Sequence, residues 1–359
     1  MLIALLFVAG LVGLVLGANL LVRGASKLAL SFGISPLVVG LTIVAFGTSA
    51  PEMAVSAGAV LNGQTDIAIG NVVGSNIFNV LFILGLSALI VPLVVHQQLI
   101  RQEVPIMIGA SLLLLVLGLD GRIGLVDGGL LLALLVAYTA FLVIQSRREN
   151  AAGAESEFDA ELQPAAAGAW DAKWPAQVAL IVAGLVALVL GSDALVTSAV
   201  AFAKQMGVSD LVIGLTIVAA GTSMPEVATS IAAAIKGERD IAVGNVVGSN
   251  TFNILGCLGV SGLLAGDTGL SVAASVLNFD IWVMLAVALA CFPVFFTGRE
   301  IARWEGAVFL AYYVAYVAYL ILAAQQHDAL PMFSQAMLSF AIPLTVITLV
   351  VVLLRPAKH

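Results

Sequence analysis

Two glutamates lie inside segments of the chain that are apolar enough to cross a membrane. Glu52 ends the hexapeptide GTSAPE and Glu226 ends the hexapeptide GTSMPE. An ionisable side chain is costly in a bilayer, so its presence there indicates a functional site. Carboxylate, hydroxyl and carbonyl oxygens are the ligands that hard cations take, and both hexapeptides supply them. The chemistry that these residue types suggest is therefore cation binding.

The proline of each hexapeptide predicts a break in the helix just before the glutamate. Pro51 has no N–H to donate to the carbonyl of Gly47, and Pro225 stands in the same relation to Gly221. A carbonyl freed at this depth needs a partner, and a bound cation is one. The hydroxyls available in the same turns belong to Thr48, Ser49, Thr222 and Ser223.

A second motif follows each hexapeptide, reading GNVVGSNIFN in one copy and GNVVGSNTFN in the other. Its glycines are four residues apart, a spacing that lets helix backbones approach closely. Ser75 and Asn79 are also four apart, as are Ser249 and Asn253, so each pair lies on one helical face and can present oxygens to the glutamates. The remaining asparagines are predicted to bridge helices or hold the bend: Asn71, Asn76, Asn245 and Asn250.

The motifs belong to a longer internal repeat. Residues 33–79 align without a gap to residues 207–253, and about two thirds of the positions are identical. Such a repeat must be explained before any other feature, because it defines the architecture.

Composition limits the class of protein. The chain has 359 residues, of which 61% are hydrophobic and 10% charged, and its mean hydropathy is +1.13. Soluble domains carry about 25% charged residues, so these values indicate a polytopic membrane protein whose partner is the lipid bilayer. No basic patch suggests nucleic acid, and no cofactor motif is recognisable. Cys257 and Cys291 lie in apolar stretches and are predicted to be buried free thiols.

The pattern of apolar stretches predicts the helices. A membrane span needs about 20 apolar residues. We predict spans near residues 2–22, 35–61, 67–94, 104–118, 124–145, 175–202, 209–235, 241–265, 271–296, 304–324 and 332–354. The predicted fold is all-α, with two inverted five-helix repeats that form a ten-helix core and one extra C-terminal helix. The predicted divisions are 1–145 and 173–325 for the repeats, 146–172 for an acidic, solvated linker and 326–359 for the extra helix.

The positive charges predict the orientation. With the N-terminus outside and the C-terminus in the cytoplasm, only Arg122 and Lys204 of the 14 Lys and Arg residues fall outside. This asymmetry is typical of proteins of the cytoplasmic (inner) membrane. Five spans separate the two copies of the motif, so the copies enter the membrane in opposite directions. Inverted repeats of this kind place a substrate site near the midplane, where the copies meet.

The oxygens predicted at that place suit a hard cation. Calcium takes six to eight oxygen ligands, and the absence of Cys and His from the motifs argues against zinc, copper or nickel. Two ionised glutamates balance one divalent ion, and several Na⁺ ions can replace it. Two unneutralised carboxylates repel each other in a medium of low dielectric constant. An empty site is therefore expected to cross the membrane poorly, which is the physical basis of obligatory exchange.

The paired motifs resemble the α-repeats of the calcium/cation antiporter superfamily, and most closely those of the prokaryotic sodium/calcium exchangers. The resemblance implies that Glu52 and Glu226 are shared ligands for Ca²⁺ and Na⁺, and that backbone oxygens of Thr48 and Thr222 complete the calcium site. It also implies sodium sites lined by the carbonyls of Ala45 and Ala219 and by the side chains of Ser49, Ser75, Ser223 and Ser249, with Asn79 and Asn253 at the centre. Many relatives carry Asp where this chain has Asn253, so the centre here is one charge poorer.

The predicted function is antiport of Ca²⁺ against Na⁺, with both ions as transported substrates. The resemblance also implies that the first and sixth spans slide across the core. A Ca²⁺/H⁺ exchanger, in which glutamate protonation replaces sodium, is the alternative within transporters, and Mn²⁺ stays open as a substrate. An intramembrane enzyme and a passive channel are the rivals from other classes. An enzyme would need a nucleophile with a base or a metal-bound water, yet His96, His327 and His359 lie in predicted loops or at the terminus.

Overall fold

The computed structural model describes residues 2–151, 171, 173–206 and 219–354, and these residues are almost all helical. The helices are α1 Leu2–Phe32, α2 Pro36–Thr48, α3 Ala50–Leu61, α4 Thr65–Ile90, α5 Leu99–Asp120, α6 Leu125–Ala151, α7 Trp174–Gln205, α8 Met224–Ile235, α9 Arg239–Thr268, α10 Val276–Phe296, α11 Arg303–Ala324 and α12 Leu330–Val352. The strands are β1 Leu93–Val94, β2 Arg122–Ile123, β3 Leu270–Ser271 and β4 Glu300–Ile301.

The helices correspond to the predicted spans. Within the described residues, nine helices are long and apolar enough to cross a membrane, and the bent pair α2–α3 makes a tenth. The predicted span 209–235 is represented by the short helical segment Ala219–Gly221 and by α8, because residues 207–218 lie outside the described part of the chain. The predicted all-α class is therefore confirmed.

Two short ribbons reveal that the halves are inverted. Strand β1 follows the third span of the first half and pairs with β4, which follows the fourth span of the second half. Strand β2 follows the fourth span of the first half and pairs with β3, which follows the third span of the second half. The third and fourth spans of one half end on opposite sides of the membrane. Each ribbon can form only if the two halves run in opposite directions, as the sequence predicted.

The linker differs from its prediction at both ends. Helix α6 continues to Ala151, so the first six residues of the predicted linker 146–172 are helical. Residues 152–170 and 172 lie outside the described residues. Near the other end, the Asp171 carboxylate lies 2.5 Å from Arg23 and 2.5 Å from Lys27 of α1. Lys27, together with Arg23, holds the pKa of the Asp171 carboxyl below its ordinary value. Asp171 is thus tied to α1 rather than solvated as predicted.

The repeat-related helices α1 and α7 pack against each other through glycines. A Cβ placed on Gly184 would lie 2.6 Å from the Leu21 nitrogen and 2.8 Å from the Gly17 carbonyl oxygen. Symmetrically, a Cβ on Gly10 would lie 2.7 Å from the Leu195 nitrogen and 2.9 Å from the Gly191 carbonyl oxygen. Only glycine permits backbones to approach so closely. The first helices of the two halves therefore form one closely packed pair.

Helix α12 packs against the outside of the bundle. The hydroxyl of Tyr312 in α11 lies 2.6 Å from Thr345 Oγ1 and donates to the Ala341 carbonyl at 3.1 Å. Most other α12 side chains are exposed, among them Phe340 and Leu338. This predicted extra helix is thus attached to the second half and lies away from the centre where the halves meet.

Candidate functional site

Both predicted helix breaks are present just before the glutamates. Helix α2 ends at Thr48 and α3 begins at Ala50, with an angle of 42° between them. The residue at the break, Ser49, has φ −81° and ψ 6°. In the second half Ser223 precedes α8 with φ −87° and ψ 10°. Since proline cannot donate to the helical ladder, the same sequence produces the same break in both halves.

The breaks bring the two glutamates into one site. Ser49 Oγ donates a hydrogen bond to Glu226 Oε1 at 3.1 Å, and Ser223 Oγ donates to Glu52 Oε1 at 2.7 Å. Each serine thus reaches the carboxylate of the opposite half. Both glutamates are fully buried, with 0% of their surface exposed. The sequence predicted this convergence from the inversion of the repeats.

Several oxygens of the predicted ligands have no hydrogen-bond partner. Within the described residues the unpartnered buried oxygens include Glu52 Oε2, Glu226 Oε2, Asn79 Oδ1, Ser75 Oγ, Ser249 Oγ and Thr222 Oγ1. Leaving a buried polar atom unpaired costs about 1–3 kcal/mol, and more for a charged group. Their lone pairs are available to a cation.

Four asparagines join the two halves at the centre. Asn76 donates to the Asn250 carbonyl at 3.1 Å, and Asn250 donates to the Asn76 carbonyl at 3.3 Å. Asn79 donates to Asn250 Oδ1 at 3.0 Å, and Asn253 donates to Asn76 Oδ1 at 3.1 Å. These bonds confirm the bridging role predicted for Asn76 and Asn250. They also engage the amide NH₂ groups of Asn79 and Asn253. The other amide atom of Asn79, Oδ1, has no hydrogen-bond partner within the described residues.

The chain departs from a regular α-helix at both central asparagines. Asn79 begins the π-helical segment Asn79–Leu84, and Asn253 begins the π-helical segment Asn253–Cys257. Such segments are rare and occur frequently at functional sites. Their appearance at equivalent places in both halves indicates that the repeat preserves this backbone feature together with the ligands.

The other two asparagines hold the broken helices in place. Asn71 donates to Ser56 Oγ at 3.0 Å and to the Glu52 carbonyl at 3.2 Å. Asn245 donates to Ser230 Oγ at 3.0 Å, which is the equivalent contact in the second half. These bonds also agree with the predicted bridging role.

Two oxygens near the breaks have partners within the protein. The Thr48 hydroxyl donates to Asn245 Oδ1 at 3.1 Å, which leaves its lone pairs available to the site. The Gly221 carbonyl, which was predicted to need a partner, accepts a hydrogen bond from Ser192 Oγ of α7 at 2.7 Å. Ser192 was missed because a serine in the sixth span has no sequence pattern that connects it with Gly221. The Ala45 and Ala219 carbonyls keep their predicted role as a proposal.

The crossed serine hydroxyls should matter equally for calcium binding. We expect Ser49→Ala and Ser223→Ala each to raise the calcium concentration for half-maximal flux by about tenfold or more, because a hydrogen bond to a charged group contributes about 1.5–3 kcal/mol. Calcium titration of flux in reconstituted liposomes measures this. Ser111→Ala is the matched control, since Ser111 is a buried serine whose hydroxyl bonds to Met107 on its own helix. Unchanged calcium dependence in both site variants would contradict the crossed arrangement.

Comparison with known proteins identifies the family. A family described as Sodium/calcium exchanger protein matches residues 2–144 and 176–322. The chain belongs to the sodium/calcium exchanger family. The matched residues cover both five-helix halves and leave out α12 and the whole of the predicted linker.

Individual proteins that are similar to this chain support the family assignment. The sodium/calcium exchanger MaX1 of Methanosarcina acetivorans is 35% identical over 344 residues, which covers 88% of the chain and 97% of the relative. The inner membrane protein YrbG of Escherichia coli is 40% identical over 262 residues, covering 72% of the chain and 79% of the relative. A solved structure of the sodium-calcium exchanger NCX_Mj, soaked with Na⁺ and Ca²⁺, aligns with a TM-score of 0.74 and 32% identity, covering 89% of the chain and 98% of that structure.

The family decides between classes of function. Its members are transporters, so this chain is a multi-pass membrane antiporter of the cation/Ca²⁺ type and not an enzyme. The predicted family and the architecture of two inverted repeats are confirmed. The intramembrane enzyme considered from the sequence is excluded.

Proposed function

We propose that the protein exchanges Ca²⁺ for Na⁺ across the cytoplasmic membrane, with Glu52 and Glu226 binding the two ions in alternation. The observation that carries this proposal is the convergence of two fully buried carboxylates from opposite halves, each with one oxygen that no donor among the described residues reaches. The names of MaX1 and NCX_Mj, both sodium/calcium exchangers, support the choice of ions.

The charges and ligand types at the site favour calcium and sodium. Two ionised carboxylates neutralise one Ca²⁺, and hydroxyl, amide and carbonyl oxygens add neutral ligands of the kind that Ca²⁺ takes. The same oxygens can hold Na⁺ ions when calcium leaves. The proposed ligands are the glutamates with Thr48, Thr222, Ser49, Ser223, Ser75, Ser249, Asn79, Asn253, Ala45 and Ala219. Since residue 253 is Asn, the site carries two formal negative charges rather than three.

The closely packed pair α1–α7 is proposed to slide across the core and expose the site to each side in turn. The glycine contacts between the two helices favour their movement as one body. The pair also touches the core: Lys236, next to α8, donates to the Asn19 carbonyl of α1 at 3.1 Å. A slide of α1 along α8 would break this bond. The name of the inner membrane protein YrbG supports an inner-membrane location. The distribution of Lys and Arg supports an N-terminus outside and a C-terminus in the cytoplasm.

Separate control of the two gradients tests the counter-ion. We expect ⁴⁵Ca uptake into liposomes loaded with Na⁺ to stop when the sodium gradient is collapsed, and to continue when only the proton gradient is collapsed. The physical reason is that Na⁺ uses the same oxygens and must replace Ca²⁺ before the site crosses again. Uptake that follows only the proton gradient would overturn sodium coupling and favour a Ca²⁺/H⁺ exchanger. Calcium flux that persists without any counter-ion would indicate a channel.

A further inference from the structure

The two buried cysteines have different surroundings. The sulfur of Cys257 lies 3.6 Å from Asn253 Oδ1 and 4.0 Å from the carbonyl oxygen of Ser49. The sulfur of Cys291 contacts the Val287 carbonyl at 3.5 Å, one turn back along its own helix. Both side chains are fully buried. Cys257 therefore contacts two residues of the candidate cation site, whereas the contact of Cys291 is local.

Cys257 lies at the interface between the two halves. Cys257 ends the π-helical segment that Asn253 begins, so both residues come from the second half. Ser49 lies at the helix break of the first half. The sulfur thus faces one oxygen from each half, as an ion ligand at the centre should.

Ser49 links this sulfur to a glutamate of the candidate site. Its carbonyl oxygen lies 4.0 Å from the sulfur, and its hydroxyl donates to Glu226 Oε1 at 3.1 Å. Within the described residues the second oxygen of Glu226 has no partner. The sulfur therefore contacts a residue that is itself hydrogen-bonded to a site carboxylate.

We propose that Cys257 is a soft ligand in the wall of the cation site, where it binds a thiophilic divalent ion of calcium-like size, such as Cd²⁺, together with oxygens of Asn253 and Ser49. This inference rests on the cation site of the proposed function and adds a class of ligand to it. On binding, the thiol proton is lost to water and the thiolate coordinates the ion.

The distances fit such an ion. A metal ion that takes one sulfur and one oxygen at about 2.3 Å each holds those two atoms about 3.3–3.8 Å apart in right-angled or tetrahedral geometry. The observed separation of 3.6 Å from Asn253 Oδ1 lies within this range, and the separation of 4.0 Å from the Ser49 carbonyl lies above it, so the sulfur and that carbonyl must approach each other slightly when the ion binds. Thiolate selects soft ions, whereas Ca²⁺ and Na⁺ are hard and take oxygen. The sulfur is therefore not needed to bind calcium, and it favours binding of the soft ion.

The two halves differ at this position. The residue equivalent to Cys257 in the first repeat is Ile83, which is also fully buried but has no ligand atom. The soft ligand is thus present on one side of an otherwise symmetric centre, and one thiolate is expected for each bound ion.

Cadmium titration of the purified full-length protein in lipid nanodiscs tests the proposal without any flux. We expect the ultraviolet sulfur-to-cadmium charge-transfer band to appear in the wild type and in Cys291→Ser, and to be absent from Cys257→Ser and Cys257→Ala. Cys291→Ser is the matched control, because it removes the other buried thiol. Added Ca²⁺ is expected to reduce the band, since both ions would occupy one site.

Inhibition of calcium uptake gives a second readout. Half-inhibition of Cys257→Ser by Cd²⁺ is expected to need at least about tenfold more Cd²⁺ than the wild type, the size of effect seen when a metal site loses a supporting group. A band that persists in Cys257→Ser, is absent from the wild type or is lost in Cys291→Ser would overturn the inference. A normal band without sodium-driven uptake would instead overturn the proposed function alone, and sodium-driven uptake without a band would overturn only the inference.

Discussion

Glu226→Gln is expected to abolish calcium exchange, and Glu52→Gln is expected to do the same. Each substitution keeps the size of the side chain and an oxygen that can accept the hydrogen bond from the serine of the other half. It removes one of the two negative charges that neutralise Ca²⁺. Removing one partner of a buried charge pair costs about 3–5 kcal/mol, which corresponds to a loss of more than about 100-fold in calcium affinity.

The effect should be on ion binding and not on folding. Two adjacent buried carboxylates repel each other when no cation is bound, so replacing one by a neutral amide relieves repulsion in the ion-free protein. Both variants are therefore expected to reach the membrane and to elute as monodisperse protein. Their thermal stability should no longer rise with added Ca²⁺, because a ligand stabilises only the state that binds it.

Sodium-driven ⁴⁵Ca uptake and calcium-dependent melting measure the two parts of this prediction. Glu305→Gln is the matched control: Glu305 is a buried carboxylate whose Oε2 accepts from the Ala302 nitrogen at 2.8 Å, a bond that glutamine can keep. It lies at the start of α11, and its variant should exchange calcium normally. Wild-type calcium flux in either Glu52→Gln or Glu226→Gln would remove these residues from the site.

Much of this site could be predicted from the sequence because its parts are repeated and local. Pro51 and Pro225 break their helices whatever surrounds them, since the missing N–H is a property of the residue. The inversion follows from the number of spans between the copies. Together these two facts place Glu52 and Glu226 at the interface of the halves, as the crossed serine bonds then show.

The contacts that the sequence did not predict depend on how packed helices are rotated against each other. Ser192 bonds to the Gly221 carbonyl, whereas its equivalent in the first repeat is Ala18, so the repeat gave no signal for it. The same holds for Cys257, whose equivalent is Ile83. The interaction of Asp171 with α1 was missed because a charge in an Ala-rich acidic stretch is ordinarily solvated. Departures from the repeat are thus the features that only the structure could place.

The close packing of α1 on α7 leads to the prediction with the next largest effect. We expect Gly184→Ala to lower stability by about 1–3 kcal/mol, the usual cost of overpacking, and to reduce exchange strongly. The added Cβ would lie 2.6 Å from the Leu21 nitrogen, and since this atom belongs to the backbone, the two helices must separate. Gly10→Ala should lower stability and exchange in the same way, because its Cβ would lie 2.7 Å from the Leu195 nitrogen.

Gly129→Ala is the control that separates this close approach from the general effect of losing a glycine. Gly129 also lies within a membrane helix, α6, but a Cβ there would meet no atom within 4 Å. Melting temperature in detergent and sodium-driven calcium uptake should both fall for Gly184→Ala and Gly10→Ala and stay near wild type for Gly129→Ala. If α1 and α7 move as one body, separating them should lower the rate of exchange more than the apparent calcium affinity, because Glu52 and Glu226 lie outside this pair. A lower calcium affinity at an unchanged maximal rate would mean that α1 and α7 shape the ion site and do not carry its movement.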